Sequence, residues 1–296
     1  MALVLATYNV LDLFDPENDE RRARLRERIE LIAGRLAPYA PDVVALQEIG
    51  SEAVLDELSR ALGGGFQPPV VAGPDNRGIR NAILSRRPIL SSGVLSASHL
   101  SFPRFFESDP EPFDARIPLR RSIPEAVIDA GGDIGRLRVM SVHFKSRRAV
   151  PIRTASGEPK EPTTPLALAE AEARALVWRC AEALFVRREV DDRLVHDAAD
   201  KIAVCGDFND VADSVPVRIL AQSDLFSCAL HVPASGRVSV RHGGEPAAID
   251  HALLSPALAK HVRSCVYVND GLVDPDTLAA GAIIASDHAP LVVHFA

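Results

Sequence analysis

The chain has 296 residues, enough for one large α/β domain or two small ones. Apolar residues make up 47% and charged residues 25%, an ordinary globular balance with material for a sizeable core. The net charge of −7 gives no overall basic footprint, so a nucleic-acid partner needs a local basic patch, and tight sequence-independent coating of DNA is argued against.

Four cysteines (Cys180, Cys205, Cys228 and Cys265) are scattered without CxxC spacing and read as free, mostly buried thiols of a reducing compartment. The stretch from Met1 to Asn9 has neither a positive n-region nor a long apolar h-region, so it does not read as a signal peptide. A cytoplasmic protein is expected, or a secreted one if a leader has been removed. No apolar run approaches ~18–20 residues, so no membrane-spanning helix is expected.

In chain order, residues 3–8 read as a strand that delivers Asn9, then Asp12 and Asp15 in a loop. Residues 20–37 read as a helix, with Leu25, Ile29, Ile32 and Leu36 on one face and Pro38 and Pro41 at its end. A second strand over 42–47 has Glu48 at its end, and a second helix over 51–62 stops at Gly63-Gly64-Gly65. Residues 80–86 and 89–95 read as two paired strands around Arg87-Pro88. Residues 99–118, with four prolines and Phe102, Phe105, Phe106 and Phe113, read as a long loop. Covering core is the commonest role for such aromatics; stacking on bases or touching lipid are the alternatives. Two more strands are expected over 126–130 and 137–143, the second running directly into His143-Phe144-Lys145. Residues 150–165 read as a flexible loop, and 166–188 as a helix burying Ala169, Ala173, Leu176, Val177, Cys180 and Leu184. Trp178 lies off that stripe. The apolar run 201–204 then reads as a buried strand ending in Cys205-Gly206-Asp207-Phe208-Asn209-Asp210. A helix over 214–221 and strands over 248–254, 262–268 and 291–295 complete the pattern, with Ser286-Asp287-His288 before the last.

Asn9, Glu48, His143, Asp207, Asn209, Asp250, Asp287 and His288 all sit at or beside strand ends, where ligands of α/β proteins bind. An extended backbone would send Asp207 and Asn209 to the same side. Each residue alone is ordinary turn or cap chemistry. Together, Glu48, Asp207 and Asp287 with one or two amides form an oxygen-rich set suited to Mg²⁺ or Mn²⁺, because clustered carboxylates repel unless a cation relieves them. Asp250 beside His288 suits the pairing that fixes an imidazole tautomer and raises its basicity. A metal with such a pair suits hydrolysis at phosphorus. His251 reads as a packed or surface histidine. Lys145, Arg147 and Arg148, with Arg116, Arg120 and Arg121, form the local basic cluster; gripping a phosphate backbone and plain solvated charge stand about equal for the Lys145–Arg148 group.

Leu46-Gln47-Glu48, Gly206-Asp207-Phe208-Asn209, Ile249-Asp250 and Ser286-Asp287-His288 resemble the ordered signature of the endonuclease/exonuclease/phosphatase superfamily, the deoxyribonuclease-I-like fold. Thr7-Tyr8-Asn9, Asn81-Ala82-Ile83-Leu84-Ser85 and Val142-His143-Phe144 resemble its remaining motifs, so the resemblance runs from Asn9 to His288. It implies a four-layer α/β sandwich of two packed mixed sheets flanked by helices, expected as one domain over residues 1–296. It also implies a divalent-metal-dependent phosphoesterase with Glu48, Asn9 and Asp287 at the metal, Mg²⁺ or Mn²⁺. In that frame Asp207 orients or deprotonates water, and Asn209 holds phosphate. His288 with Asp250 contacts phosphate or acts as base, and His143 is a second phosphate contact or general acid. The resemblance leaves open which of Asp207 and His288 takes the proton. Nuclease members often carry an acid beside the strand resembling 80–86 that supports the middle histidine; Ile79 and Arg80 occupy that neighbourhood here. The expectation is a monomeric phosphodiesterase acting on DNA or RNA, with Asn81, Arg120, Arg121 and Lys145 as substrate contacts. The alternatives are a phosphomonoesterase or phospholipid phosphodiesterase, of inositol phosphatase or sphingomyelinase type, or an inactive binding module.

Overall fold

Strand alternation decides which layer each side chain meets. In the computed structural model, which describes residues 2–296, Leu3 and Leu5 point into one apolar cluster while Ala6 and Tyr8 point into another. Met1, where the stretch read for a leader begins, lies outside the described residues. The elements are β1 (Leu3–Leu13), α1 (Asp19–Leu36), β2 (Val43–Ile49), α2 (Glu52–Ala61), β3 (Val70–Val71), β4 (Arg80–Ser85), β5 (Ile89–Leu95), β6 (Ile123–Gly131) and β7 (Gly135–His143). They continue with β8 (Ile152–Arg153), β9 (Pro159–Lys160), α3 (Pro165–His196), β10 (Ile202–Asp207), α4 (Val215–Ala221), β11 (Phe226–Ser227), α5 (Cys228–His231), β12 (Val240–His242), β13 (Glu245–Ala247), β14 (Asp250–Leu254), α6 (Pro256–Ala259), β15 (Val262–Tyr267) and β16 (Leu291–Phe295).

Two six-stranded sheets form, in the orders β15-β16-β1-β2-β4-β3 and β11-β14-β10-β7-β6-β5. Both are mixed: β1–β2 and β7–β10 are parallel and the other pairs antiparallel. Leu5, Ala45, Ile83, Val139, Cys205 and Leu254 fill the space between the sheets. The outer face of the first sheet packs on Leu25, Ile29, Val54 and Leu58 of α1 and α2, and that of the second on Val186, Val190 and Leu220 of α3 and α4. This is the expected four-layer sandwich, with each sheet buried on both faces.

Several local readings change. Residues 80–86 and 89–95 are not paired with each other: β4 joins the first sheet and β5 pairs with β6 in the second. Arg86 N–H on the Asp42 carbonyl and Arg86 Nη2 on that of Leu62 hold the end of β4 in place, while the Pro88 carbonyl already accepts Asp129 N–H of the other sheet. The helix expected to stop at 188 continues to His196, where Arg187–Asp191 and Arg193–Glu189 pairs lie one turn apart. Its buried face is also different. Ala169, Ala173 and Leu176 are exposed, and Ala171, Ala175, Arg179, Glu182, Val186 and Val190 face inward. The loop 150–165 contains the small hairpin β8–β9. In the loop 99–118 Phe102 packs on the outer core, but Phe105 and Phe106 are 93% and 71% exposed, so core covering accounts for only part of that aromatic run.

Candidate active site

β10 ends against β7 so closely that a side chain at Gly206, with φ +147°, would place its Cβ 1.9 Å from the Val142 carbonyl oxygen. That contact sets Asp207 beside His143 in register. Beyond Asp207 the chain does not stay extended: Asn209 has φ +52°. The turn still brings the two side chains together. Asn209 N–H donates to Asp207 Oδ1 at 2.7 Å, and Asn209 Nδ2 donates to Asp207 Oδ2 at 3.2 Å and to the Phe144 carbonyl at 2.9 Å.

The remaining groups arrive from other strand ends. Asn9 Nδ2 donates to Asp207 Oδ2 at 3.0 Å and to Glu48 Oε1 at 3.4 Å, while its oxygen accepts Leu11 N–H. Glu48 Oε2 accepts Asp12 N–H at 2.8 Å. His143 Nε2 stands 3.4 Å from Asp207 Oδ2 and 3.8 Å from Glu48 Oε1. Its Nδ1 is buried with no partner among the described residues, consistent with the missing supporting acid. His288 Nδ1 is 2.8 Å from Asp250 Oδ2, and its Nε2 is 4.0 Å from Asp207 Oδ2. Tyr267 donates to the Asp250 carbonyl, and Ser286 Oγ ties Asn9 O to His288 N–H. Asp287 is half-buried beside them. His251 is the packed histidine expected, fully buried against Phe208 with Nε2 on the Asp210 carbonyl.

Burial pushes the Glu48 and Asp207 carboxyls upward, Asp207 to about 7. Burial works against a charged His288, but Asp250, Asp207 and Asp287 outweigh it and raise the imidazole to about 10. Burial, reinforced by Arg121, drives His143 well below the usual histidine value. The site therefore holds a neutral His143 and a His288 stabilised as the cation.

Glu48, His143, Asp207, Asn209 and His288 open into a cleft of about 860 Å³. Arg120, Arg121 and Lys145 line it too, but not alike. Arg121 is buried, donates to the His143 and Phe144 carbonyls, and lies 3.3 Å from Asp75. Lys145 Nζ donates to the Ser146 and Arg148 carbonyls, and burial with Arg120 and Arg179 nearby lowers it to about 8. Both serve the wall rather than reach across it. Arg120 keeps its Nε without a partner among the described residues. Asn81 does not line the cleft: it is buried and donates to the Ser122 carbonyl beneath Arg121. Of the other basic residues, Arg147 pairs with Asp210 and Arg116 with Asp114.

Sequence reasoning missed the braces. Glu182, fully buried on α3, accepts Lys145 N–H at 2.6 Å and Arg120 N–H at 3.4 Å. Arg179 donates to Asp210 and to the Ser146 carbonyl. Arg28 of α1 donates to the Val10 and Leu11 carbonyls, fixing the turn after Asn9. A charged residue inside a helix gives no local sign that it faces inward.

The donor set fits a hard divalent cation. Glu48 and Asp207 are buried carboxylates facing one cleft, and among the described residues neither makes an ion pair with lysine or arginine. Asp207, Asp250 and His288 also place ligand-type atoms within 4.8 Å of one another, but the Asp250–His288 bond makes that trio a carboxylate–imidazole relay.

A family model described as "Endonuclease/Exonuclease/phosphatase family" matches residues 6–288. No curated protein matches the chain in sequence. An endonuclease/exonuclease/phosphatase family protein from Bacteroides thetaiotaomicron superposes with a TM-score of 0.63 at 19% identity, over 99% of this chain and 97% of that one. A mannosyl-6-phosphatase of the same organism gives 0.62 at 19% identity, over 98% of each chain. The catalytic domain of human nocturnin, with bound sulfate, gives 0.60 at 18% identity, over 100% of this chain and 94% of that one. At these identities the likeness is one of fold.

Proposed function

This chain belongs to the endonuclease/exonuclease/phosphatase family, whose members are phosphoesterase hydrolases, and we propose that it cleaves phosphodiester bonds of nucleic acid with a bound divalent cation. The observation that carries this reading is the convergence of Asn9, Glu48, His143, Asp207, Asn209 and the Asp250–His288 pair on one cleft. Glu48 and Asp287 would hold the cation, Mg²⁺ or Mn²⁺, and Asn9 aligns Glu48 with Asp207. When bound, the cation supplies positive charge against the phosphoryl oxygens. Asp207 orients a water for in-line attack on phosphorus and takes its proton, since its Oδ2 faces the cleft between His143 and His288. His288, surrounded by three carboxylates, keeps its own proton and meets the negative charge that grows on the phosphoryl group. Asn209 holds a phosphate oxygen. His143, neutral and in reach of Glu48 and Asp207, keeps those two carboxylates apart.

The hairpin β8–β9 and Trp178 form part of the cleft wall, and this narrowing favours a second reading, a phosphomonoesterase on small esters. Supercoiled plasmid, single-stranded DNA, RNA, bis-p-nitrophenyl phosphate and a sugar phosphate, each with Mg²⁺, Mn²⁺ or EDTA, separate the two. Metal-dependent cleavage of nucleic acid that Asp207→Asn abolishes supports the nuclease. Turnover of the sugar phosphate alone moves the assignment to the monoesterase.

A further inference from the structure

A scissile phosphate fills a small part of an 860 Å³ cleft, so the rest of the wall has to receive the body of the substrate. One stretch of that wall is apolar: Pro118, Ala149, Val150, Pro151 and Trp178. Hydrogen bonds to α3 hold it together. Trp178 Nε1 donates to the Pro118 carbonyl at 3.0 Å, Arg174 Nε donates to the Val150 carbonyl at 2.8 Å, and Val150 N–H donates to the Ala171 carbonyl. Residues 171, 174 and 178 lie on neighbouring turns of one helix, so the wall is fixed by it. The only polar atom of the indole is satisfied within the wall, so a half-buried Trp178 offers the cleft aromatic surface and nothing else. This stretch has no hydroxyl or amide side chain with which to read a sugar or an inositol ring. Arg120 and the exposed Arg148 line the same cleft and suit a flanking phosphate.

We propose that Trp178, with Pro118 and Val150, forms a stacking site for a nucleobase adjoining the scissile phosphate. The proposal rests on the nucleic-acid reading and narrows it: the base is recognised by its flat face, without hydrogen-bonded readout of its edge. The cleft then selects unpaired nucleotides, because a base inside a duplex has no free face to offer.

Trp178 is the only tryptophan in the chain, so its emission reports on this site directly. Asp207→Asn protein with Mg²⁺ is titrated with adenosine 5′-monophosphate and with ribose 5-phosphate. The expected result is saturable quenching by the nucleotide and an unchanged spectrum with the sugar phosphate. Equal responses to both, or no response to the nucleotide, overturn the stacking site. In wild-type background, Trp178→Leu is expected to raise KM for a short single-stranded oligonucleotide about ten-fold with kcat nearly unchanged, and Trp178→Phe to keep the wild-type KM. Quenching by the nucleotide without any nucleic-acid cleavage leaves the site standing and removes the nuclease. Cleavage of nucleic acid without quenching removes the site alone.

Discussion

Asp207 Oδ1 accepts the Asn209 N–H, while Oδ2 accepts from Asn9 and faces His143 and His288, so one carboxylate serves both the turn and the chemistry. An asparagine there keeps the size and one acceptor. Asp207→Asn is therefore expected to fold as the wild type does and to lower kcat by roughly 10²–10⁴, the usual contribution of a positioned base; matched melting curves and initial rates check it. Glu182 makes the opposite case, a carboxylate that acts through others. It never reaches the cleft, yet it holds the backbone of both Arg120 and Lys145. Burial raises its carboxyl to about 7 from an ordinary 4.5, outweighing the two N–H donors and the nearby Arg121 and Arg120 that favour the anion. Between those two values the folded chain binds a proton that the unfolded chain has lost, so this group's stabilisation is present at low pH and falls as pH rises from about 4.5 to 7. Glu182→Gln removes that dependence. Its urea midpoint should change less between pH 5 and pH 7 than that of the wild type, and an identical pH dependence in both proteins would sink the argument.

At the scale of elements, the strand ends do most of the positioning, and they were also the most readable part of the sequence. An apolar run such as 201–204 followed by Gly206-Asp207 states locally both that a strand is buried and that it stops. The same holds for Glu48 after β2 and Asp250 at the start of β14. Partners across space are not stated locally. Nothing near Arg87-Pro88 says that β4 and β5 belong to different sheets, because that depends on Asp42, Leu62 and Asp129. On α3, alanines lie on several faces, and the structure buries the one containing Arg179 and Glu182 because their partners lie on segments 31 to 62 residues away. Two-residue strands such as β3 and β8 are too short to show any period. In the sequence Gly206 reads as part of a strand end and a motif, and its task in the structure is to let β10 approach β7. Gly206→Ala is expected to cost more than about 3 kcal/mol, since its methyl would overlap the Val142 carbonyl in a backbone conformation that L-residues avoid. A denaturation midpoint near that of the wild type would mean that the β7–β10 contact gives way easily.

Across the whole molecule, the site is shared between the two sheets. Asn9 and Glu48 come from β1 and β2 of the first; His143, Asp207 and Asp250 come from β7, β10 and β14 of the second. Between them the sheets are joined by few polar bonds, among them Gln47 to Ser141 Oγ and Ser141 to the Leu46 carbonyl. The carboxylates facing each other across this seam repel, and burial gives them little solvent to share the charge. A cation held at Glu48 therefore acts on the packing of one sheet against the other as well as on the reaction. Binding to the folded chain alone stabilises it by RT ln(1 + [L]/Kd), about 2.7 kcal/mol at a hundred times Kd, which for a chain of this length is about 4 °C in Tm. Tm should rise with the logarithm of Mn²⁺ or Mg²⁺ concentration and return to its starting value with EDTA. In Glu48→Gln the shift should vanish, while the metal-free Tm stays level or rises because one buried charge has been removed. A metal-dependent Tm that survives Glu48→Gln would place the cation elsewhere, and the Asp207–Asp250–His288 group would be the next to replace.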